Sequence, residues 1–136
     1  MIARSNRGEI RGGFTLMEML VVVAIIVLLA AIAAPMVMGR LDDAKKDKAR
    51  VDCKTIAQTA EMYKLKYGDY PASLDQLTVM GADGSLPFIE ARYLMDPWGH
   101  AYQYQPQGPH NGGFKPDVWS MGPHMGQGDT QIGNWQ

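Results

Sequence analysis

The string Gly12-Gly13-Phe14-Thr15-Leu16-Met17-Glu18 sets one carboxylate at the head of a long apolar run. From Phe14 to Ala34 there are 21 residues, and Glu18 is the only charged one. A carboxylate inside a bilayer costs about 2.5–3.5 kcal/mol on insertion scales unless something nearby pairs with it. Hydrolysis of the Gly13–Phe14 bond would create such a partner, a new α-amino group one helical turn before Glu18. That amine could meet Glu18 in its own chain or in a neighbouring copy. The chemistry these residues point to is charge neutralisation in an apolar setting, and Gly13, Phe14 and Glu18 are its candidate residues.

The other chemistry-bearing residues form no catalytic constellation. Serines are scattered without a paired histidine motif, and no glycine-rich loop follows a strand and opens a helix. His100, His110 and His124 lie in or near loops without the HxH or HxxxH spacing of metal ligands. Cys53 is the only cysteine, so no intrachain disulfide can form. It lies on a stripe of Ala49, Cys53, Ile56, Ala60, Tyr63 and Tyr67, spaced as one helix face, and is expected to be a small buried apolar residue.

The elements that must carry these residues follow from hydropathy and charge. Residues 1–13 are short, basic and glycine-rich and read as a processing segment. Residues 14–38 form a transmembrane or filament-core helix, since a span needs roughly 20 apolar residues. Arg4, Arg7 and Arg11 precede it, so the leader stays cytoplasmic and the rest faces out. Removing the leader moves the formal net charge from −1 to −3, which gives nucleic-acid binding no support. An ordinary signal peptide would be cut after the apolar run, where Ala30-Ala31 and Ala33-Ala34 offer small residues. A plain signal anchor, with Glu18 snorkelling to the interface, is the other alternative.

Residues 39–136 are expected to hold an amphipathic half-helix and one small domain. Pro35 should kink or loosen the long helix, and Gly39 adds a second weak point. Beyond it, Asp42/Lys46, Asp43/Lys46 and Asp47/Arg50 are spaced to pair. The helix is predicted to run to about Tyr67, with Gly68 as its C-terminal cap. Ser73 is placed to cap a short helix including Leu74 and Leu77, and 87–95 forms a short helical or extended piece. Asp96-Pro97-Trp98-Gly99 is a strong turn. Strands are predicted over His100–Tyr104 and Asp117–Gly122. A two- or three-stranded antiparallel sheet on the helix would bury the stripe, which makes the fold class α+β.

Gly13-Phe14-Thr15-Leu16-Met17-Glu18, behind a basic leader and before an apolar helix, resembles the class III signal of type IV pilins and pseudopilins. Tyr67-Gly68-Asp69-Tyr70-Pro71, Asp96-Pro97-Trp98-Gly99, Ser120-Met121-Gly122 and Ile132-Gly133-Asn134-Trp135 together resemble the major pseudopilins of type II secretion. The resemblance implies a pilin-like fold, a prepilin peptidase that cuts after Gly13 and methylates Phe14, and Glu18 as the assembly carboxylate. It implies a helical homopolymer, anchored at a bacterial inner membrane with its domain periplasmic, working with minor pseudopilins and an inner-membrane assembly platform. It also implies calcium in the loop before Ile132, for which Asp129 and Met121 are the candidate ligands. This sequence departs from that pattern, because Gly122-Pro123 is followed by His124 where the family carries an aspartate.

The expected function is a structural subunit of a secretion pseudopilus, without enzymatic activity. Two alternatives stand beside it. A type IV pilin or competence-type pseudopilin would share the N-terminal half, although one cysteine cannot close the disulfide loop of many pilins. A membrane-anchored periplasmic binding domain would not polymerise at all.

Overall fold

The structure is a computed structural model and describes residues 13–125 and 131–136. One α-helix, α1, spans Leu16–Tyr67, and the chain divides into two compact units at the Gly39/Arg40 boundary. Within the first unit, α1 is apolar on every side, and it is the one helix among the described residues long and apolar enough to cross a membrane. Pro35 sits inside α1, where it has no N–H to give the carbonyl of Ala31. The helix nevertheless continues through both Pro35 and Gly39.

The second unit, Arg40–Gln136, is built on the remaining part of α1. Ala49, Cys53, Ile56 and Ala60 are buried as the helical spacing requires, together with Ala57 and Thr59. Leu74, Leu77, Leu94, Tyr102 and Val118 close over them. Fully burying a side chain such as Ile56 or Leu77 contributes about 1.5–3 kcal/mol, so this cluster is the main source of cohesion. The stripe does not stay buried to its end. Tyr63 is half-buried and Tyr67 is 43% exposed, its ring packing on Tyr63 and Phe88 at the rim. Gly68 ends the helix at φ 96°, a conformation open to glycine, and its N–H donates to the Lys64 carbonyl.

Three short strands form an antiparallel sheet in the order β1 (Gln103–Gln105), β2 (Asp117–Ser120), β3 (Ile132–Gly133). Gln103 faces Trp119 across β1–β2, and Ser120 faces Ile132 across β2–β3. The central strand places Val118 fully inside. The Cys53 thiol donates to the Ile132 carbonyl at 3.4 Å, which ties α1 to the last strand.

Several expectations are corrected here. The segment His100–Tyr104 is not one strand. Tyr102 donates its N–H to Leu94 and Ala101 bridges Met95, so the first half pairs backward and only Gln103 onward reaches β2. The second strand ends at Ser120 because Gly122, at φ 74°, turns the chain away. Ser73 precedes a 3₁₀ turn, Leu74–Leu77, but makes no side-chain cap; Gln76 instead accepts from the Ala72 N–H. Residues 91–94 form a second 3₁₀ turn. Of the expected ion pairs Asp47–Arg50 forms, at 2.8 Å, while Lys46 closes on neither Asp42 nor Asp43. Lys48 instead pairs with Asp52, which also accepts from the Tyr102 hydroxyl at 3.0 Å.

Candidate functional site

The N-terminal site is assembled by a local rule. Thr15 is the last non-helical residue before α1, and Glu18 is the third residue inside it. The Glu18 N–H donates to Thr15 Oγ1 at 3.2 Å, while the Thr15 N–H donates to Glu18 Oε2 at 2.8 Å. This reciprocal arrangement is a capping box, which satisfies two backbone donors that the helix cannot. The Thr15 hydroxyl lies 3.2 Å from the same Oε2. Both interactions converge on one carboxylate oxygen. Oε1 accepts nothing among the described residues, and a carboxylate has acceptor capacity left for an ammonium. The helix N-terminus also favours a negative charge at this place.

Gly13 and Phe14 lie immediately before the cap in non-helical backbone. Phe14 is 80% exposed, and a side chain added at Gly13 would meet nothing within 4 Å. The peptide bond between them therefore lies outside α1, in exposed non-helical backbone. The Thr-x-x-Glu spacing was present in the sequence as a signal for this cap, but sequence reasoning assigned Glu18 to the amine alone and left Thr15 without a role.

At the other end of the chain, two buried carboxylates organise the loops around the sheet; sequence reasoning placed Asp96 in a turn and Asp117 in a strand and gave neither carboxylate a role. Asp96 accepts from the Trp98 N–H at 3.0 Å, the His100 N–H at 2.8 Å and the Ser120 hydroxyl at 2.5 Å. Ser120 Oγ in turn accepts from the Gly122 N–H at 3.0 Å. His100 Nδ1 lies 3.1 Å from the Gly122 carbonyl, an acceptor, so that ring nitrogen carries the proton. Asp117 accepts from the His110 N–H, from His110 Nδ1 at 2.8 Å and from Asn111 Nδ2 at 2.6 Å. The His110 ring stacks on Trp135 at 4.0 Å and 11°. Asn134 Oδ1 accepts from the Val118 N–H while Asn134 Nδ2 donates to Pro116. A Cβ at Gly133 would overlap the Trp135 indole, and one at Gly108 would overlap Asp117.

These contacts explain the turn and terminal motifs as clamps rather than reactive sites. Burial pushes the Tyr104 hydroxyl up to about 12, and burial followed by the nearby Asp52 charge pushes Tyr102 up as well. Both phenols remain neutral and structural. Calcium takes six to eight hard oxygen ligands. Met121 offers a carbonyl, but His124 presents an imidazole, and no three His, Cys, Asp or Glu side chains gather among the described residues. Asp129, the expected carboxylate, lies outside the described residues.

Comparison with known proteins adds a lineage to this geometry. Residues 36–135 match the family model described as type II secretion system protein G, and residues 10–34 match the prokaryotic N-terminal methylation motif. A type II secretion system core protein G from Pseudomonas aeruginosa is 38% identical, over 92% of this chain and 95% of its own length. The protein of the same name from Escherichia coli K12 is 36% identical over 90% of each. The crystal structure of the major pseudopilin from the type 2 secretion system of enterohaemorrhagic E. coli superposes with a TM-score of 0.56 at 29% identity. That match covers 72% of this chain and 88% of the other.

Proposed function

This chain belongs to the type II secretion system protein G family and is a pseudopilin subunit of the secretion pseudopilus, and from that premise we propose how its N-terminus is matured and assembled. The family is not an enzyme class, and its members are processed and assembled within the secretion system. The match over residues 36–135 lies in the half of the chain where a surface pilin would differ, and it favours the secretion subunit over both alternatives.

Prepilin peptidase cuts the open Gly13–Phe14 bond and methylates the new amine of Phe14. Thr15 holds Glu18 turned back toward the N-terminus, with Oε1 left to accept. In the assembling filament Oε1 receives the amine of a neighbouring copy, and the two charges are held in the apolar interior as a pair. One register then neutralises both, so the ion pair fixes the axial position of each subunit. Arg4, Arg7 and Arg11 keep the leader cytoplasmic, and the domain beyond α1's apolar segment is periplasmic. Minor pseudopilins and an inner-membrane platform start and extend the polymer, whose growth moves folded proteins outward.

The capping box carries this reading, because it fixes the direction of the Glu18 carboxylate before any partner arrives. The test is Glu18→Ala in the full-length chain expressed with its secretion system. Intact mass should show a chain beginning at methylated Phe14, while filaments are lost. Filaments of normal length and number from that variant would sink the assembly role.

A further inference from the structure

We propose that Phe114 of one copy seats in an apolar hollow between α1 and residues 88–93 of a second copy, an inference that rests on the filament reading above. The contact joins neighbouring periplasmic domains and is separate from the pairing at Glu18.

Phe114 is the knob. It is 85% exposed, more than any other aromatic residue among the described ones. Its backbone is nevertheless held. Gly112 and Gly113, at φ 68° and 77°, turn the chain just before it. The Gly113 N–H donates to the Gly108 carbonyl at 2.9 Å, and the Tyr70 hydroxyl donates to the Phe114 carbonyl at 3.2 Å. One exposed apolar side chain is ordinary by itself. A ring presented on a fixed turn differs, because little conformational freedom is left to lose on contact.

The hole is walled by Thr55, Ile56 and Thr59 of α1 and by Phe88, Ile89 and Tyr93. Its volume is about 250 Å³, and an apolar cavity of roughly 150 Å³ is enough to hold a benzene ring. Asp52 also lines it, but that carboxylate already meets Lys48 and the Tyr102 hydroxyl. An entering ring therefore strands no charge.

Knob and hole cannot meet within one chain. Lys115, next to Phe114, has its Nζ 3.7 Å from Glu61, and Phe114 borders a groove with Lys64. At 3.6 residues per turn, Glu61 stands nearly opposite Thr55, Ile56 and Thr59 around α1. The helix thus lies between the two features, and the occupant is a second copy. A contact that joins opposite sides of successive subunits is heterologous, and it propagates from copy to copy instead of closing a two-fold dimer. The rims also match in charge. Glu61 and Lys115 flank the knob while Glu90 and Arg92 flank the hole, so unlike charges can face each other.

The experiment uses the full-length chain expressed with its secretion system and carrying Lys115→Cys/Glu90→Cys, two exposed rim positions that leave knob and hole intact. Filaments are treated with a short bismaleimide, and a chain without added cysteines is the blank, since Cys53 is buried. The double variant should give a ladder of dimers, trimers and longer products. Adding Phe114→Ala should weaken the ladder at least about fivefold, and adding Thr55→Trp, which fills the hole from an exposed helix position, should do the same. Circular dichroism melts of each variant separate lost contact from lost folding. Filaments that give no ladder, or dimers alone, overturn the contact and leave the filament reading standing. A ladder undiminished in a folded Phe114→Ala or Thr55→Trp chain overturns it as well. Absence of filaments from the wild type would remove the filament reading and the contact with it.

Discussion

Ser120 donates its hydroxyl to Asp96 at 2.5 Å across 24 residues of sequence, and this one bond locks the Asp96–Gly99 turn onto the central strand. Asp96 is buried and carries three donors, two of them backbone N–H groups that would otherwise be orphaned. Hydrogen bonds to a charged group contribute about 1.5–3 kcal/mol each. Ser120→Ala should therefore destabilise the domain by about 1.5–3 kcal/mol, and Asp96→Ala by more, since it strands the Trp98 and His100 amides. Urea unfolding of the two variants checks the order. Equal losses would mean that the amides find other partners.

Thr15 positions Glu18 through its hydroxyl and its backbone, so the hydroxyl is the separable part. Thr15→Ser keeps the cap and should assemble near normally. Thr15→Val removes a cap of about 1 kcal/mol and should lower filament yield. Intact mass of both variants shows whether leader removal is unchanged. A Val variant that assembles as well as the Ser variant would remove Thr15 from the mechanism.

Burial pushes the Cys53 thiol from an ordinary 9.0 up to about 12. A raised folded value means that the neutral thiol is favoured by the fold. The contribution is complete below pH 9 and is lost as pH rises toward 12. Thermal stability should fall across that window in wild type and fall less in Cys53→Ala, apart from shared lysine and tyrosine effects. Ellman's reagent at neutral pH should react only at the rate of unfolding, because thiolate is the reactive form. Rapid labelling of the folded chain would show Cys53 accessible.

Asp83 behaves oppositely. Its carboxyl is held well below the usual carboxylate range by hydrogen bonds from Ser85 and then from Lys66, whose ammonium lies 2.9 Å away. A depressed folded value gives stability that is present above the unfolded carboxylate value and is lost as pH falls through the folded one. The 81–85 loop should therefore stay docked to Lys66 at mildly acidic pH and release only below the ordinary carboxylate value. Amide shifts of Gly81 and Gly84 followed against pH report the step, and Asp83→Asn should abolish it. A midpoint at the ordinary carboxylate value would contradict the docking.

Patterns of period and turn chemistry were legible wherever the cause is local. The stripe through Ala49, Cys53, Ile56 and Ala60 is buried as its spacing requires, and Gly68 ends the helix. The carboxylate clamps were not legible, because Asp96 meets Ser120 and Asp117 meets His110 only after the chain has folded back. For the same reason strand β1 begins later than its alternation implies. Alternation in His100–Tyr104 marks sides, but the Asp96 carboxylate and Leu94 carbonyl claim the first amides. Tyr67 kept the stripe's spacing but lies at the rim, 43% exposed, with its ring on Tyr63 and Phe88. At the N-terminus the opposite holds: the Thr15-x-x-Glu18 spacing states the cap outright.

The glycines of this chain divide by what a mutation at the DNA level would do. At Gly13 and Gly39 a new side chain would enter open space, so the fold itself places no demand on those codons, and under the proposed maturation any constraint on Gly13 would come from the peptidase. At Gly133 every missense change installs a Cβ in overlap with atoms of the Trp135 ring, beside the stack on His110. That codon has no mild neighbour, since alanine, the smallest step, already collides. A deep mutational scan read out on folding alone should therefore show Gly133 blank for all nineteen alternatives and Gly13 fully permissive; read out on secretion, the two positions should look alike.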